Sequence, residues 1–406
     1  MLLSEMKKLY GQYIAGTYAR TDLGVASGQN AALRDVQEQE LVDFSSGIGV
    51  NSLGFCSPQW VSAVTEQVQT LAHISNLYYT EPQARLAKAL CERTGMQKVF
   101  FANSGAEANE GAIKTARKYG SDHYSHSRCE IITLRNSFHG RTIATLAATG
   151  QDVFHKNFGP FPAGFLYAEP NDIADLKAKV SANTCAIMLE CIQGEGGVLP
   201  LDESYVKAIQ ALCKEQDILL IADEVQTGVG RTGKFLCGEY FGLTPDIVTL
   251  AKGLGGGLPI GAVLFGEKTK NTLAAGDHGS TFGGNPVVCA GALAVLEAMD
   301  GRFLDAVAEK GAYITEKVKT MSGVLGVTGR GMMLGIALEE GLVSAELAKE
   351  CVANGLVILT AKQKLRMLPP LTITYGELDK GLAILEKVLK EATARLVQAQ
   401  QTTEKE

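Results

Sequence analysis

Residues Lys98–Tyr119 read KVFFANSGAEANEGAIKTARKY. An apolar run, Val99-Phe-Phe-Ala102, stops at Asn103-Ser-Gly, and a helical pattern follows over Glu107–Tyr119, ending at Gly120. That is a strand, a tight turn and a helix in immediate succession. The alternation recurs along the chain. Further strands are expected at Glu130–Leu134, Cys185–Leu189, Asp217–Ala222, Asp246–Ala251 and Ala262–Phe265, with helices at Ile173–Lys179 and Tyr205–Glu215. Strands alternating with helices predict an α/β fold, a mainly parallel sheet covered by helices. In such sheets ligands sit outside the carboxyl ends of the strands. From about Pro286 the pattern changes to a long apolar helix, Val287–Met299, then short strands and helices, which predicts a second, smaller domain joined by the N-terminus. The last residues, TTEKE (402–406), are expected to be disordered.

The chain has 406 residues, 46% hydrophobic and 20% charged, an ordinary globular composition but long for one core. With 38 Lys plus Arg against 44 Asp plus Glu, the net charge is −6, which points to neither a nucleic-acid nor a membrane surface. The nine cysteines are scattered and form no CxxC pair, as expected for reduced thiols in a cytoplasm. The N-terminus MLLSEMKKLYGQYIAG has no apolar core of signal-peptide length.

Chemistry collects at the strand ends. Phe101-Ala102 runs into Asn103-Ser-Gly-Ala106 at a helix N-terminus, where free amides, a hydroxyl and a glycine suit an anion such as phosphate. Taken alone it reads first as an ordinary Ser cap, since Ser is a preferred capping residue. Leu189 runs into Glu190 and the turn Gln193-Gly-Glu-Gly-Gly197, Ala222 into Asp223-Glu-Val-Gln226, and Ala251 into Lys252 with a glycine-rich loop behind it. One ligand accounts for a phosphate cradle, an acid and a lysine at one sheet edge. Pyridoxal phosphate needs an amine for its aldehyde, a carboxylate for its ring nitrogen and a helix N-terminus for its phosphate. Lys252 is expected to be poorly solvated, so that its neutral form is accessible.

Two other motifs lead elsewhere. Gly228-Val-Gly-Arg-Thr-Gly233 matches GxGxxG, but it starts five residues after Asp223 and no helix follows, so it reads as a loop. His123 and His126 form an HxxH that reads as a solvated helix end; no HExxH pair or GxSxG elbow occurs, and no metal is expected.

The segments FANSGAEANE (101–110), NSFHGRT (136–142), IQGEGG (192–197), ADEVQTGVGRTG (222–233), TLAKGLGGGLPIGA (249–262) and GSTFGGNP (279–286) resemble class-III pyridoxal-phosphate aminotransferases. DFSSGIGVNSLG (43–54) and NLYYTEPQ (76–83) bring the resemblance closest to the acetylornithine group. It implies fold-type I: a large cofactor-binding domain (45–290) with a seven-stranded sheet, and a smaller domain from both termini (1–44 and 291–406). It also implies a cytoplasmic homodimer with shared active sites.

Residue by residue, the resemblance makes Lys252 the Schiff-base lysine and Asp223 the partner of the ring nitrogen. Val225 and Phe138 would pack on the two ring faces, and Gln226 would reach the ring hydroxyl; Glu224 belongs to the same matched segment. Gly105 and Ala106 would give amides to the phosphate with Ser104 beside them, and Thr281 would complete the neighbouring subunit's phosphate site, with Ser280 near the substrate there. Arg141 would clamp a carboxylate, and Glu195 with Arg366 would form a switch pair. The implied reaction moves the terminal amine of N-acetylornithine to 2-oxoglutarate, giving N-acetylglutamate semialdehyde and glutamate, a step of arginine biosynthesis. Succinylornithine, succinyldiaminopimelate, ornithine and 4-aminobutyrate aminotransferases, and an aminomutase, share the apparatus. Three positions depart from the family pattern: Phe55 and Ser57, in Gly54-Phe-Cys-Ser-Pro58 where the family has GHCHP, and Cys191, where it has a proline.

Overall fold

The computed structural model describes residues 1–403. Its centre is a seven-stranded sheet, with β1 Lys98–Ala102, β2 Glu130–Leu134, β3 Phe165–Ala168, β4 Thr184–Leu189, β5 Leu219–Asp223, β6 Ile247–Leu250 and β7 Gly261–Phe265. The spatial order is β1-β7-β6-β5-β4-β2-β3, and every neighbouring pair is parallel except the two that β7 makes. β4 and β5 are buried along their whole length, which is why they read as continuous apolar runs.

The helix after β1 spans Gly105–His123 and buries Ala108, Ala112, Ile113 and Ala116 against the sheet. It runs past Gly120, the expected stop. A Cβ at Gly120 would lie 2.1 Å from the carbonyl oxygen of Arg128, so this glycine permits a close crossing and ends nothing. The Gly228–Gly233 segment is a turn with no α-helix behind it; only a short 3-10 helix, Cys237–Phe241, follows. His123 and His126 are exposed at the helix end.

Both termini share a sheet. Strands Val25–Gln29, Ala32–Asp35 and Glu40–Asp43 form an antiparallel meander, and Leu356–Val357 joins it in parallel beside Val42 and Asp43. A second four-stranded sheet is built from Val324–Arg330, Met333–Leu338, Lys364–Met367 and Leu359–Ala361, with Gly335 opposite Arg366. The apolar helix Pro286–Ala298 packs on the helices Pro58–Thr70 and Glu81–Thr94. One buried cluster runs from Phe44 and Leu254 through Val295 to Ile314, Leu365 and Leu382, so core packing is continuous across these sheets. Of the TTEKE segment, Thr402 and Thr403 end the last helix, Tyr375–Thr403, and the other residues lie outside the described part. Among the described residues no helix is long and apolar enough to cross a membrane. The nine cysteines are free thiols.

Candidate active site

The register of the sheet sets the site. Leu189 pairs with Ala222 and Asp223 with Thr249, so the carboxyl ends of β4, β5 and β6 lie side by side. Glu190, Asp223 and Lys252 thus converge on one cavity of about 450 Å³, which Ser104, Gly105, Ala106, Phe138, Arg141, Val225 and Gln226 also line.

Asp223 is buried, and its Oδ2 accepts from Asn109 Nδ2 at 2.8 Å and faces His139 Nδ1 at 2.7 Å. Its Oδ1 accepts from the Val225 amide at 3.0 Å. Burial opposes protonation of His139, but the hydrogen bond to Asp223 and the charges of Asp223 and Glu190 raise its pKa above the usual imidazole value. Glu190 is also buried and accepts from the Phe138 amide at 3.0 Å. Burial pushes its carboxyl up to about 7, with His139 opposing and Asp223 adding to the shift. Lys252 is half-buried, and loss of solvent lowers its pKa against the opposing pull of Glu195 and Asp223.

The two arginines differ. Arg366 is buried, and its Nη1 lies 2.5 Å from Glu195 Oε1 and 3.4 Å from Gln226 Oε1. Burial resists ionisation of Glu195, yet Arg366 holds its carboxyl below the usual range. Arg141 is exposed at the cavity wall, its guanidinium 4.1 Å from the Phe154 ring centre and 5.5 Å from that of Phe138. Among the described residues no carboxylate pairs with Arg141.

The helix N-terminus is capped by Ser104, whose Oγ accepts from Glu107 N at 3.1 Å. The amides of Gly105 and Ala106 belong to the first turn and have no intrahelical acceptor. A Cβ on Gly105 would lie 2.6 Å from Val225 Cγ1, so the cradle exists only with glycine there.

Five expected residues lie outside the lining of this cavity: Glu195 and Arg366, which reach its edge through Gln226, and Glu224, Ser280 and Thr281. Glu224 turns away: its carboxylate accepts from the amides of Cys237 at 3.0 Å and Gly238 at 2.7 Å, and burial pushes it up to about 7. The reason is strand alternation, which sends Asp223 to one side and Glu224 to the other. Thr281 is exposed, and Ser280 Oγ accepts from Asn103 Nδ2 at 3.2 Å and Gly283 N at 2.9 Å. Phe55, Ser57 and Cys191, the departures from the family pattern, do not line the cavity either.

Residues 13–389 match the family model described as aminotransferase class-III. The chain is a class-III aminotransferase. It is 53% identical to the acetylornithine aminotransferase of Haemophilus ducreyi, over 96% of this chain and 100% of that one. It is 48% identical to that of Caldanaerobacter subterraneus, over 94% and 98%. Among solved structures it resembles the N-acetylornithine aminotransferase of Stenotrophomonas maltophilia at 34% identity and a TM-score of 0.81, covering 97% and 99% of the two chains. The Toxoplasma gondii ornithine aminotransferase superposes at a TM-score of 0.93 with 29% identity, covering 97% and 96%.

This aminotransferase depends on pyridoxal 5'-phosphate, and its cavity suits that group on three counts: an enclosed carboxylate, a desolvated lysine and free first-turn amides beside a glycine. The sequence reading gave no role to Asn109 or His139. Both lie in matched segments, and Asn109 stands one helical turn after Gly105, on the face turned to the strand ends. Their buried Oδ1 and Nε2 atoms have no hydrogen-bond partner among the described residues.

Proposed function

We propose that this aminotransferase takes the terminal amine of N-acetylornithine and passes it to 2-oxoglutarate, releasing N-acetylglutamate semialdehyde and glutamate, the arginine-biosynthesis reaction. The observation that carries the reading is the pair of unlike arginines around Lys252: Arg141 unpaired, and Arg366 neutralised by Glu195 at 2.5 Å. The names of the most similar relatives support the acyl group.

Pyridoxal phosphate supplies an electrophilic carbonyl for amines and a protonated ring that withdraws electrons. Residues 45–290 would hold it, with the smaller part (1–44 and 291–406) closing the substrate side. Asp223 would keep the ring nitrogen protonated, while Phe138 and Val225 would flank the ring and Gln226 would reach its hydroxyl. The Gly105 and Ala106 amides, with Ser104, would hold the phosphate, and Thr281 of a second copy in a homodimer would complete it, with Ser280 of that copy near the substrate.

Neutral Lys252 Nζ takes the proton from the substrate carbon that bears the amine and returns it on the other side of the transfer. Arg141 grips the α-carboxylate of N-acetylornithine bidentately, far from the reacting amine. During that half-reaction Glu195 cancels the charge of Arg366, which would otherwise attract the wrong end of the substrate. Glutamate presents two carboxylates; Arg141 takes the side-chain one, and Arg366, released by Glu195, takes the other.

The test is single-turnover kinetics of each half-reaction. Arg141→Ala should slow both halves, by about tenfold or more for a lost charged contact. Arg366→Ala should slow the glutamate half alone. Equal damage to both halves by Arg366→Ala contradicts the reading.

A further inference from the structure

The GVGRTG loop takes no part in holding the cofactor, yet it carries the largest of the fully buried side chains, Arg231. Its Nη1 donates to the carbonyls of Met332 at 3.1 Å and Pro369 at 2.5 Å, and its Nη2 to Ser46 Oγ at 3.3 Å. Its own carbonyl accepts from Met332 N at 3.0 Å. Among the described residues no carboxylate lies within ion-pair distance of it. The nearby Asp43 engages the amides of Ser45 and Ser46 at 2.7 and 2.8 Å. A charge buried without an ion-pair partner calls for an account beyond stability.

What the guanidinium joins supplies one. Ser46, Gly47, Ile48 and Gly49 have φ of 42°, 65°, 66° and 75°, a left-handed turn that a β-branched residue such as Ile48 avoids unless its surroundings hold it. Ser46 Oγ, besides accepting from Arg231, donates to the carbonyl of Leu368 at 2.6 Å. The carbonyls of Leu368 and Pro369 are therefore gripped from the turn and from Arg231 at once. Arg366 lies on the strand Lys364–Met367 that leads directly into them. The planar fork of an arginine reaches acceptors on separate segments; the single ammonium of a lysine cannot cover the same set.

We propose that Arg231 is a positioning residue for Arg366: with the strained turn Ser46–Gly49 it clamps Leu368–Pro369 and so aims the Arg366 guanidinium at Glu195 and Gln226 on the edge of the cavity. The inference rests on the reading of Arg366 as the second carboxylate site. Arg141, on the loop after β2, lies outside the clamp.

The test is a double-mutant cycle on the cofactor-loaded enzyme, with Arg231→Lys, Arg366→Ala and the double variant compared in single-turnover half-reactions. Arg231→Lys should slow the glutamate half by about tenfold or more while the N-acetylornithine half stays within about threefold of the parent. In the Arg366→Ala background it should add less than about threefold, because both changes act through one group. Should Arg231→Lys fail to fold, Ser46→Gly removes the hydroxyl link at a position where glycine suits the backbone, and it should show the same asymmetry. Equal slowing of both halves, or full additivity with Arg366→Ala, overturns the role of Arg231 alone. A glutamate half left intact by Arg366→Ala itself overturns the switch, and the proposal with it.

Discussion

Asp223→Asn separates the electrostatic role of this residue from its structural one. The carboxylate receives three donors, two at Oδ2 from Asn109 and His139 and one at Oδ1 from the Val225 amide. An isosteric amide must turn its NH2 toward one of these sets. The less costly orientation faces the Val225 amide and loses one bond, roughly 1–3 kcal/mol for a buried donor left unpaired. The fold should survive that. The catalytic cost is larger, because a neutral amide cannot hold a proton on the ring nitrogen; loss of one preorganised electrostatic partner costs ~10²–10³ in rate. The assay is single-turnover transamination in samples whose cofactor content is matched by absorbance. Loaded protein turning over at a near-parental rate would refute the reasoning and shift attention to Glu190, the next buried carboxyl on the cavity wall.

Lys252→Ala should abolish steady-state turnover and the visible absorbance of lysine-bound cofactor while circular dichroism stays native; retained transamination removes Lys252 from its role. Thr281→Ala should weaken cofactor retention, by roughly 1.5–3 kcal/mol for a lost bond to a charged group, and should regain rate at high cofactor. Refolded together at limiting cofactor, Lys252→Ala and Thr281→Ala chains should exceed the activity of either alone, since one mixed site has both residues intact. Mixed dimers that form and restore nothing contradict a shared site.

Six of the seven strands of the large sheet were legible because buried strands are continuous apolar runs between turn signals; β3, Phe165–Ala168, was missed, being a short edge strand that is only partly buried. β2 agrees with its expected limits, and β4, β5 and β6 shift by a residue or two at their ends. Glu190, Asp223 and Lys252 were legible as strand-end residues, and the sheet register brings them together. Glu224 was drawn in because it shares a matched segment with Asp223, although, one residue past the end of β5, it points to the opposite side and is buried against the Cys237 and Gly238 amides. Asn109 and His139 stayed hidden because their meeting at Asp223 joins residues 30 to 114 positions apart, which local pattern does not encode. The left-handed turn at Ser46–Gly49 escaped for a different reason. Its Ser and Ile carry no local preference for positive φ, and distant partners such as Arg231 and Leu368 impose it.

The central claim is the choice of amine donor, and it is tested by kcat/KM with 2-oxoglutarate for N-acetylornithine, N-succinylornithine, ornithine and 4-aminobutyrate, following glutamate formation. Ornithine would bring a second ammonium beside Arg141, where no acidic side chain of the described residues pairs with the guanidinium. 4-Aminobutyrate is too short to reach Arg141 in the same way. The account predicts that N-acetylornithine exceeds both by about tenfold or more. A preference for ornithine or 4-aminobutyrate, or amine loss without glutamate formation, would contradict it.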